Sequence, residues 1–553
     1  MALSSALLFT GDSKAAAEQQ DPVFSTTTRL VEVSTIITDA KGVYATGLTR
    51  DDFSLLEDGK PQRILQVLTE PVLRDQRRLA QLPPNVYTNR PEALPHPHRS
   101  INVLVLDYLN STWGAQTATR EQILRFLRAL DGEDLVAIYS MGNTLSLLHD
   151  FTSDRKSLIE RLEKSPGMLS VLGKSEGEIV AESSARWLNL MGEEHGSNER
   201  FYQSTSQRAR TLLTLQSLSL IARHIAGFPG RKNLIWLSNG FPLNILTPEH
   251  TSPKVIMSTN GGNRIDNMPS PAEIAAGAGS ATLFQDSMDR AIDTICAAGV
   301  VVYGMQVGSL YLLEDRNIPG YDRRLTNSSF GYVPPGFAQG TSLVTFSERT
   351  GGLGQVRSTS LEGALRSVLS DSRHYYLLTY QTSNPRFDGK FRKIEVRVNR
   401  PGLRIRHRAG YTAHDPAKDP SRDVQGDLEE AGRSPVTQSA LLLTAQALSA
   451  EGNSIQFALQ IDAAKVSFRS ENDVWVGALD LVFYQKSPDG KMAWSKTALP
   501  LKLTAEQYST VMRKGLLYRH TIERASSATV LRVGVRDSGS GLVGTLDIPL
   551  SKP

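Results

Sequence analysis

An almost unbroken apolar run extends from Ile101 to Leu106, and a carboxylate, Asp107, follows it directly. A short continuous run rich in Val, Leu and Ile is typical of a strand that is buried on both faces of a parallel sheet. Amide and hydroxyl side chains come next, among them Asn110 and Ser111. Because open α/β sheets bind ligands outside the carboxyl ends of their strands, the pattern predicts that Asp107 lies at a binding edge.

The pattern between residues 101 and 374 alternates between such strands and helical stretches. It predicts strands near 101–107, 233–237 and 300–305, and helices near 117–130, 208–226 and 283–298. Because parallel strands require helical crossovers, this alternation predicts a doubly wound, mostly parallel α/β sheet of the Rossmann-like kind.

Three polar stretches, 164–207, 241–280 and 307–340, interrupt the α/β pattern. The last two directly follow predicted strand ends, so we expect them to rise on the same face as Asp107, where recognition loops usually lie. Part of the second stretch, 254–280, is predicted equally well to be a disordered insertion because it contains glycine-rich and alanine-rich runs.

Period-two alternation on both sides of this region predicts flanking all-β domains. Segments 23–70 and 375–412 are each too small to be stable alone, so we expect them to pair into one sandwich with the α/β domain inserted. Segment 435–553 is predicted to form a second sandwich. Segments 71–100 and 413–434 lack periodicity and are predicted to be linkers, and 1–22 is predicted to be a signal-like or disordered N-terminus.

Composition narrows the range of partners. The 553 residues include 61 basic and 57 acidic side chains, which give a net charge of +4. So small a charge produces no strong field, and the sequence predicts neither a nucleic-acid partner nor an anionic membrane surface. No stretch after the N-terminus has the roughly 18 uninterrupted apolar residues of a membrane span. The single cysteine, Cys296, is compatible with the cytosol and with a disulfide-free exported protein.

Common catalytic motifs are missing from the sequence. Gly539, Gly541 and Gly544 have dinucleotide-loop spacing, but the chain ends too soon for the helix that would offer its amino terminus to a phosphate. Nucleophile elbows, zinc-protease motifs, paired-cysteine zinc spacings and calcium loops are also absent from the sequence. The sequence therefore predicts a protein that is not an enzyme.

Several separated stretches resemble one known family. These are GLTRDDFSLLEDGK, PGRKNLIWLSNGFP, SERTGG, YYLLTY and RHRAGYT, and together they resemble the bacterial von Willebrand factor A-related proteins over roughly Val23 to Thr412. The resemblance implies a von Willebrand factor type A (VWA) domain with a metal-ion-dependent adhesion site. In that site a strand ends in D-x-S-x-S, a later loop adds a threonine, and a third segment adds an aspartate.

Carried over to this chain, the resemblance gives a degenerate metal site. Asp107 takes the first carboxylate position and Ser111 the second hydroxyl, but Leu109 replaces the first hydroxyl and Asn239 replaces the second acid. The threonine is expected within 164–210, with Thr205 as a candidate. Mg²⁺ prefers hard oxygen ligands, so a single carboxylate implies weak or absent Mg²⁺ binding. In the alternative interpretation Asp107 caps a loop by accepting backbone hydrogen bonds and binds no metal.

The resulting hypothesis is a non-enzymatic, extracytoplasmic module for protein binding or adhesion, in the periplasm, in the medium or at the cell surface. It would present Asp107, Asn110, Ser111, Asn239 and Gly240 to a protein partner that the sequence does not identify. Two alternatives stay open. One is an enzyme that uses Asp107 as an acid or base in a loop-covered pocket, with His149, Asp150 or His250 as the second group. The other is a structural envelope protein without a ligand.

Overall fold

The structure is a computed structural model. It describes residues 30–69, 82–90, 100–111, 113–128, 130, 134–142, 144–165, 198–238, 240–241, 254–257, 263–266, 286–306, 335–354, 361–384, 386, 388–413, 424–449, 454–489 and 492–550. The predicted N-terminal segment 1–22 lies outside these residues, as do most of the three polar stretches that interrupt the α/β pattern.

The chain contains strands and helices in an order that changes from β to α/β and back to β. The first strands are β1 (Leu30–Thr38), β2 (Phe53–Glu57), β3 (Lys60–Gln62), β4 (Ile64–Thr69) and β5 (Val86–Thr88). The α/β part comprises β6 (Ser100–Asp107), α1 (Trp113–Arg128), β7 (Asp134–Met141), β8 (Leu145–Thr152), α2 (Arg155–Lys164), α3 (Asn198–Ile225), β9 (Lys232–Ser238), β10 (Lys254–Met257), β11 (Asn263–Asp266), α4 (286–297), β12 (Val300–Gln306), α5 (Pro335–Thr350) and α6 (Leu361–Arg373). The remaining elements are β13 (Tyr376–Gln381), β14 (Phe391–Val398), β15 (Arg404–His407), β16 (Gly410–Thr412), α7 (Val424–Arg433), β17 (Leu443–Ser449), β18 (Ser454–Ile461), β19 (Arg469–Glu471), β20 (Val474–Lys486), β21 (Met492–Leu503), α8 (Ala505–Lys514), β22 (Leu516–Glu523), β23 (Val530–Asp537) and β24 (Val543–Pro549).

A five-stranded sheet in the order β12-β9-β6-β7-β8 forms the centre of the α/β part. Its strands are parallel except for the edge strand β8, which runs antiparallel to β7. Every residue of β6, β7 and β9 is buried, because helices cover both faces. Helices α1, α2 and α6 pack on one face, and α3, α4 and α5 pack on the other. The described residues thus contain the predicted α/β core with flanking antiparallel β domains.

The first β domain takes its strands from both sides of the α/β part. One sheet has the order β15-β1-β13-β4, and the facing sheet has the order β16-β14-β2-β3. β1 therefore lies between two strands that follow it by more than 300 positions, with Leu30 opposite Gln381 and Thr38 opposite Arg404. Buried side chains of both segments, such as Val33 and Leu378, share one core.

The second β domain includes residues that the sequence pattern assigns to a linker. Its sheets have the orders β22-β18-β17-β5 and β19-β20-β23-β24, with β21 on the other edge of β20. Strand β5 lies within the predicted linker 71–100 and pairs with β17. Next to it, the Asn89 amide donates to the carbonyl oxygens of Gln438 and Leu441, each at 2.8 Å. The sequence pattern does not indicate β5, because a strand of three residues is too short to show alternation.

The predicted linker 413–434 also contains regular structure. Helix α7 lies against β20, where the ring of Tyr484 occupies the space above Gly432 and its hydroxyl donates to the Leu428 carbonyl. On the other side of the helix, Glu430 pairs with Arg223 of α3. Helix α7 therefore joins the second β domain to the α/β domain. Its apolar stripe is short and consists chiefly of Leu428 and Ala431. Charged residues surround these positions in the sequence, so the helical periodicity is difficult to recognise.

Candidate functional site

The strand order places a topological switch point between β6 and β9. From β6 the chain builds outward to β7 and β8 on one side, and to β9 and β12 on the other. In doubly wound sheets the crevice for ligands opens at the carboxyl ends of the two strands beside this point. Asp107 ends β6 and Ser238 ends β9, so these residues mark the candidate site.

The Asp107 carboxylate accepts hydrogen bonds from three other residues. Its Oδ2 accepts from Ser238 Oγ at 2.6 Å, from Asn110 Nδ2 at 2.8 Å and from Trp236 Nε1 at 3.0 Å. Its Oδ1 accepts from the Asn110 backbone N–H at 2.9 Å. Only 2% of Asp107 is exposed. The carboxylate therefore ties the end of β6 to β9 and to the loop that follows, and it is not presented at the surface.

The electrostatics of Asp107 follow from this burial. Loss of solvation raises the pKa of its carboxyl group above the ordinary value. The hydrogen bonds from Ser238, Asn110 and Trp236 oppose that rise, since they stabilise the ionised form. Burial is the larger effect, and it favours the protonated acid.

Asn110 connects Asp107 to helix α3. Besides its bonds to Asp107, its Nδ2 donates to Thr214 Oγ1 at 2.8 Å, and that hydroxyl donates to the Arg210 carbonyl. Thr214 is the threonine that the structure brings to this loop, and it lies just beyond the predicted range 164–210. The candidate Thr205 falls within α3, at a position whose side chain lies outside the described residues.

Ser111 lies beside a small cavity. The cavity is lined by Leu106, Asp107, Tyr108, Ser111, Gln116, Thr119, Arg120 and Leu237. It has room for about one water molecule. Ser111 Oγ and Gln116 Oε1 are buried and have no hydrogen-bond partner among the described residues. Two buried oxygens without donors suit a water molecule in this cavity, because buried polar atoms are rarely left unpaired.

The described residues around Asp107 supply few oxygen ligands for Mg²⁺. Asp107 is the only acid that lines the cavity, and two of the three predicted ligands, Asp107 and Ser111, lie there. Leu109 is buried and supplies no oxygen, and the third predicted ligand, Asn239, lies outside the described residues. In the described ranges no three His, Cys, Asp or Glu side chains come close enough to hold a metal. A hard dication requires more anionic oxygen than one already hydrogen-bonded carboxylate provides.

The other predicted site residues have separate roles. Gly240 has a φ of 75° and donates its N–H to Ser238 Oγ at 2.8 Å, so it shapes the turn after β9. His149 contacts Ser157 Oγ and the Asp150 carbonyl at the outer strand β8, away from the cavity that Asp107 lines. His250 lies outside the described residues. The described residues thus bring no second acid or base to Asp107.

Three residues of the site are missing from the sequence prediction. Trp236, Ser238 and Thr214 bind Asp107 or Asn110 from positions more than 100 residues away along the chain. Ser238 alone has a sequence signal, because it is the first polar residue after the apolar run of β9. Trp236 and Thr214 resemble ordinary buried positions of a strand and a helix.

Comparisons with known proteins give weak matches. No family model and no curated protein matches the chain. An aerotolerance-related membrane protein from Bacteroides fragilis is 13% identical, with a TM-score of 0.24, over 49% of this chain and 98% of that one. BatB from Bacteroides thetaiotaomicron is 12% identical, with a TM-score of 0.22, over 49% and 97%. The PilB minor pilin from Streptococcus sanguinis is 14% identical, with a TM-score of 0.25, over 50% and 60%. Matches at these levels assign neither family nor activity.

In the described ranges, no helix combines the length and the apolar character that a membrane span requires.

Proposed function

We propose that this chain is a non-enzymatic, extracytoplasmic protein-binding module, in which a VWA-like domain is inserted into one β-sandwich and followed by another. Its partner docks on the carboxyl edge of the five-stranded sheet. The observation that carries this proposal is the position of Asp107 and Ser238 at the switch point, beside a cavity that is too small for an organic substrate. The family resemblance in the sequence supports the VWA-like assignment.

Asp107 acts in this module as an organiser of the docking edge. Its carboxylate fixes the loop through Asn110, and Asn110 fixes the top of α3 through Thr214. The degenerate adhesion site therefore functions without a bound cation. Hydrogen-bond donors already contact the Asp107 carboxylate oxygen Oδ2, which a metal ion would have to coordinate. Exposed residues beside this network then contact the partner. One of them is Leu212, which is 47% exposed and lies near the level of Thr214 along α3, on the outward face of the helix.

Site-specific photo-crosslinking in the native envelope tests this function. A photoreactive residue at Leu212 probes the docking edge, and one at the exposed Lys41, in the first β domain, is the matched control. The proposal predicts a discrete protein adduct from position 212 that persists in the presence of a chelator and that position 41 does not give. Equal adducts from both positions, or none from position 212, would contradict it. An adduct that disappears with the chelator would instead support a cation-dependent site.

A further inference from the structure

The outer edge of β21, in the second β domain, has no partner strand among the described residues. β21 covers the twelve residues Met492–Leu503 and pairs with β20 along its whole length. An edge this long offers a row of main-chain donors and acceptors on which another strand can form. This edge belongs to a different domain from Asp107 and is independent of the docking edge proposed above.

The hydrogen-bond register identifies the main-chain groups that point outward. The carbonyl oxygens of Ala478 and Lys486 accept from Ser538 and Thr529, so even-numbered residues of β20 face β23. Even-numbered residues of β20 stand opposite even-numbered residues of β21, as Ala478 does opposite Pro500. In an antiparallel ladder the paired residues alternate between the two sides. The N–H and C=O groups of Trp494, Lys496 and Ala498 therefore point away from β20.

Pro500 limits the open part of this edge. Its position opposite Ala478 directs its nitrogen outward, where it has no proton to donate. The unbroken outward ladder thus runs from Met492 to Ala498. Proline and lysine on an edge strand disfavour pairing with unrelated strands. We therefore expect this edge to bind only a partner strand that fits both residues.

The side chains along the open part are basic and aromatic. Trp494 is 46% exposed, and its ring stacks on that of Tyr484 at 6.0 Å. Lys496 reaches Gln425 at the start of α7, so the helix end stands beside the open edge. β21 carries Lys496 and Lys502 and no acidic residue. An incoming strand therefore meets Trp494 and Lys496 on the open part, with Lys502 just beyond Pro500, and it meets no acidic side chain of β21.

A second copy of this chain is a poor occupant. Antiparallel self-pairing centred on Lys496 or on Leu499 would place lysine opposite lysine, which is destabilising. Centring it on Thr497 or Ala498 would bring Pro500 into the ladder. Centring it on Ser495, the middle of the open part, avoids both problems, but it still makes the two copies of Lys496 diagonal neighbours on one face, about 7–8 Å apart, where like charges repel. We therefore propose that the outer edge of β21 binds an extended acidic segment of a partner protein by strand addition. The main chain of that segment pairs with Trp494, Lys496 and Ala498, and its acidic side chains lie near Lys496 and Lys502.

Binding of two short synthetic peptides to the full chain tests this proposal. One peptide alternates glutamate with valine, and its matched counterpart alternates lysine with valine. Ala498→Pro removes an outward N–H and leaves the bonds to β20 intact, whereas Ala498→Val keeps that N–H and serves as the control. Thermal unfolding of both variants checks that the domain remains folded.

We expect the glutamate peptide to bind the unmodified chain and Ala498→Val, and to bind Ala498→Pro at least about tenfold more weakly. The lysine peptide should also bind at least about tenfold more weakly to the unmodified chain, and Lys496→Glu should reverse the preference between the peptides. Equal affinities for the two peptides, undiminished binding to Ala498→Pro, or no binding of the glutamate peptide up to about 1 mM would overturn the proposal. A concentration-dependent dimer that Ala498→Pro abolishes would assign the edge to a second copy and would also overturn it.

Discussion

Ser238 Oγ lies 2.6 Å from Asp107 Oδ2 and donates a hydrogen bond that joins the carboxyl ends of β9 and β6. These two strands flank the point from which the sheet grows in opposite directions. In many doubly wound sheets a ligand occupies this crevice. In this chain a hydrogen bond between side chains spans it, which makes Asp107 part of the scaffold beneath the proposed docking edge.

Removing the Asp107 side chain should destabilise the α/β domain. Asp107→Ala leaves the donors of Trp236, Ser238 and Asn110 buried without an acceptor, so we expect the free energy of unfolding to fall by about 3 kcal/mol or more. Ser238→Ala removes one of these donors and also the acceptor of the Gly240 N–H, so it should cost less than Asp107→Ala, about 2 kcal/mol. Urea unfolding of both variants measures the two losses. Equal small losses would show that the network does not stabilise the domain.

The raised pKa of Asp107 predicts a pH dependence of a definite sign. Above the ordinary carboxyl pKa of about 4, the unfolded chain releases this proton while the folded chain still holds it. The folded state then binds more protons than the unfolded state, so stability falls as the pH rises through that window. Asp107→Asn removes the titrating group. The free energy of unfolding of the unmodified chain should therefore decline relative to that of Asp107→Asn as the pH rises above about 4. A difference that stays constant with pH would refute the assignment.

A buried acid also fixes the α/β domain to the first β domain. Asp371 of α6 accepts hydrogen bonds from Tyr303 of β12 at 2.7 Å, from Tyr44 at 2.9 Å and from Arg406 of β15 at 2.5 Å. Asp371→Ala would leave Arg406 mostly buried without its counter-charge, and we expect a loss of about 3 kcal/mol. Hydrogen exchange should then accelerate in β1 and β15. Glu362→Ala, on the same helix, breaks only an exposed pair with Arg366 and should cost no more than about 0.5 kcal/mol.

Helix α7 should tolerate no side chain at Gly432. A Cβ atom there would lie 2.1 Å from the nearest carbon of the Tyr484 ring, so either the helix or the ring must move. Gly432→Ala should lower the stability of the second β domain by about 2 kcal/mol, although alanine favours helices in general. Gln425→Ala, at the half-buried start of the helix, is the control: it removes only side-chain hydrogen bonds with Glu429 and Lys496 and should cost no more than about 1 kcal/mol. If Gly432→Ala proved stabilising, α7 would not be packed against β20.

The sequence alone predicts the parts of the fold that depend on local patterns. Strand β6 and its terminal Asp107 follow from one apolar run, and the α/β alternation follows from strands separated by helical stretches. The sequence does not predict strand β5 or helix α7. β5 has only three residues and α7 has only a short apolar stripe, so neither shows a clear hydrophobic periodicity. The burial of Asp107 also escapes prediction, since its donors Trp236 and Ser238 lie 129 and 131 positions away and act through tertiary contact.

Calorimetric titration of Mg²⁺ and Mn²⁺ into the unmodified chain and into Asp107→Asn tests the central claim most directly. If Asp107 organises the docking edge through hydrogen bonds, neither protein should show saturable heat up to about 1 mM cation. Saturable binding to the unmodified chain that Asp107→Asn abolishes would contradict the account and assign Asp107 to a metal site.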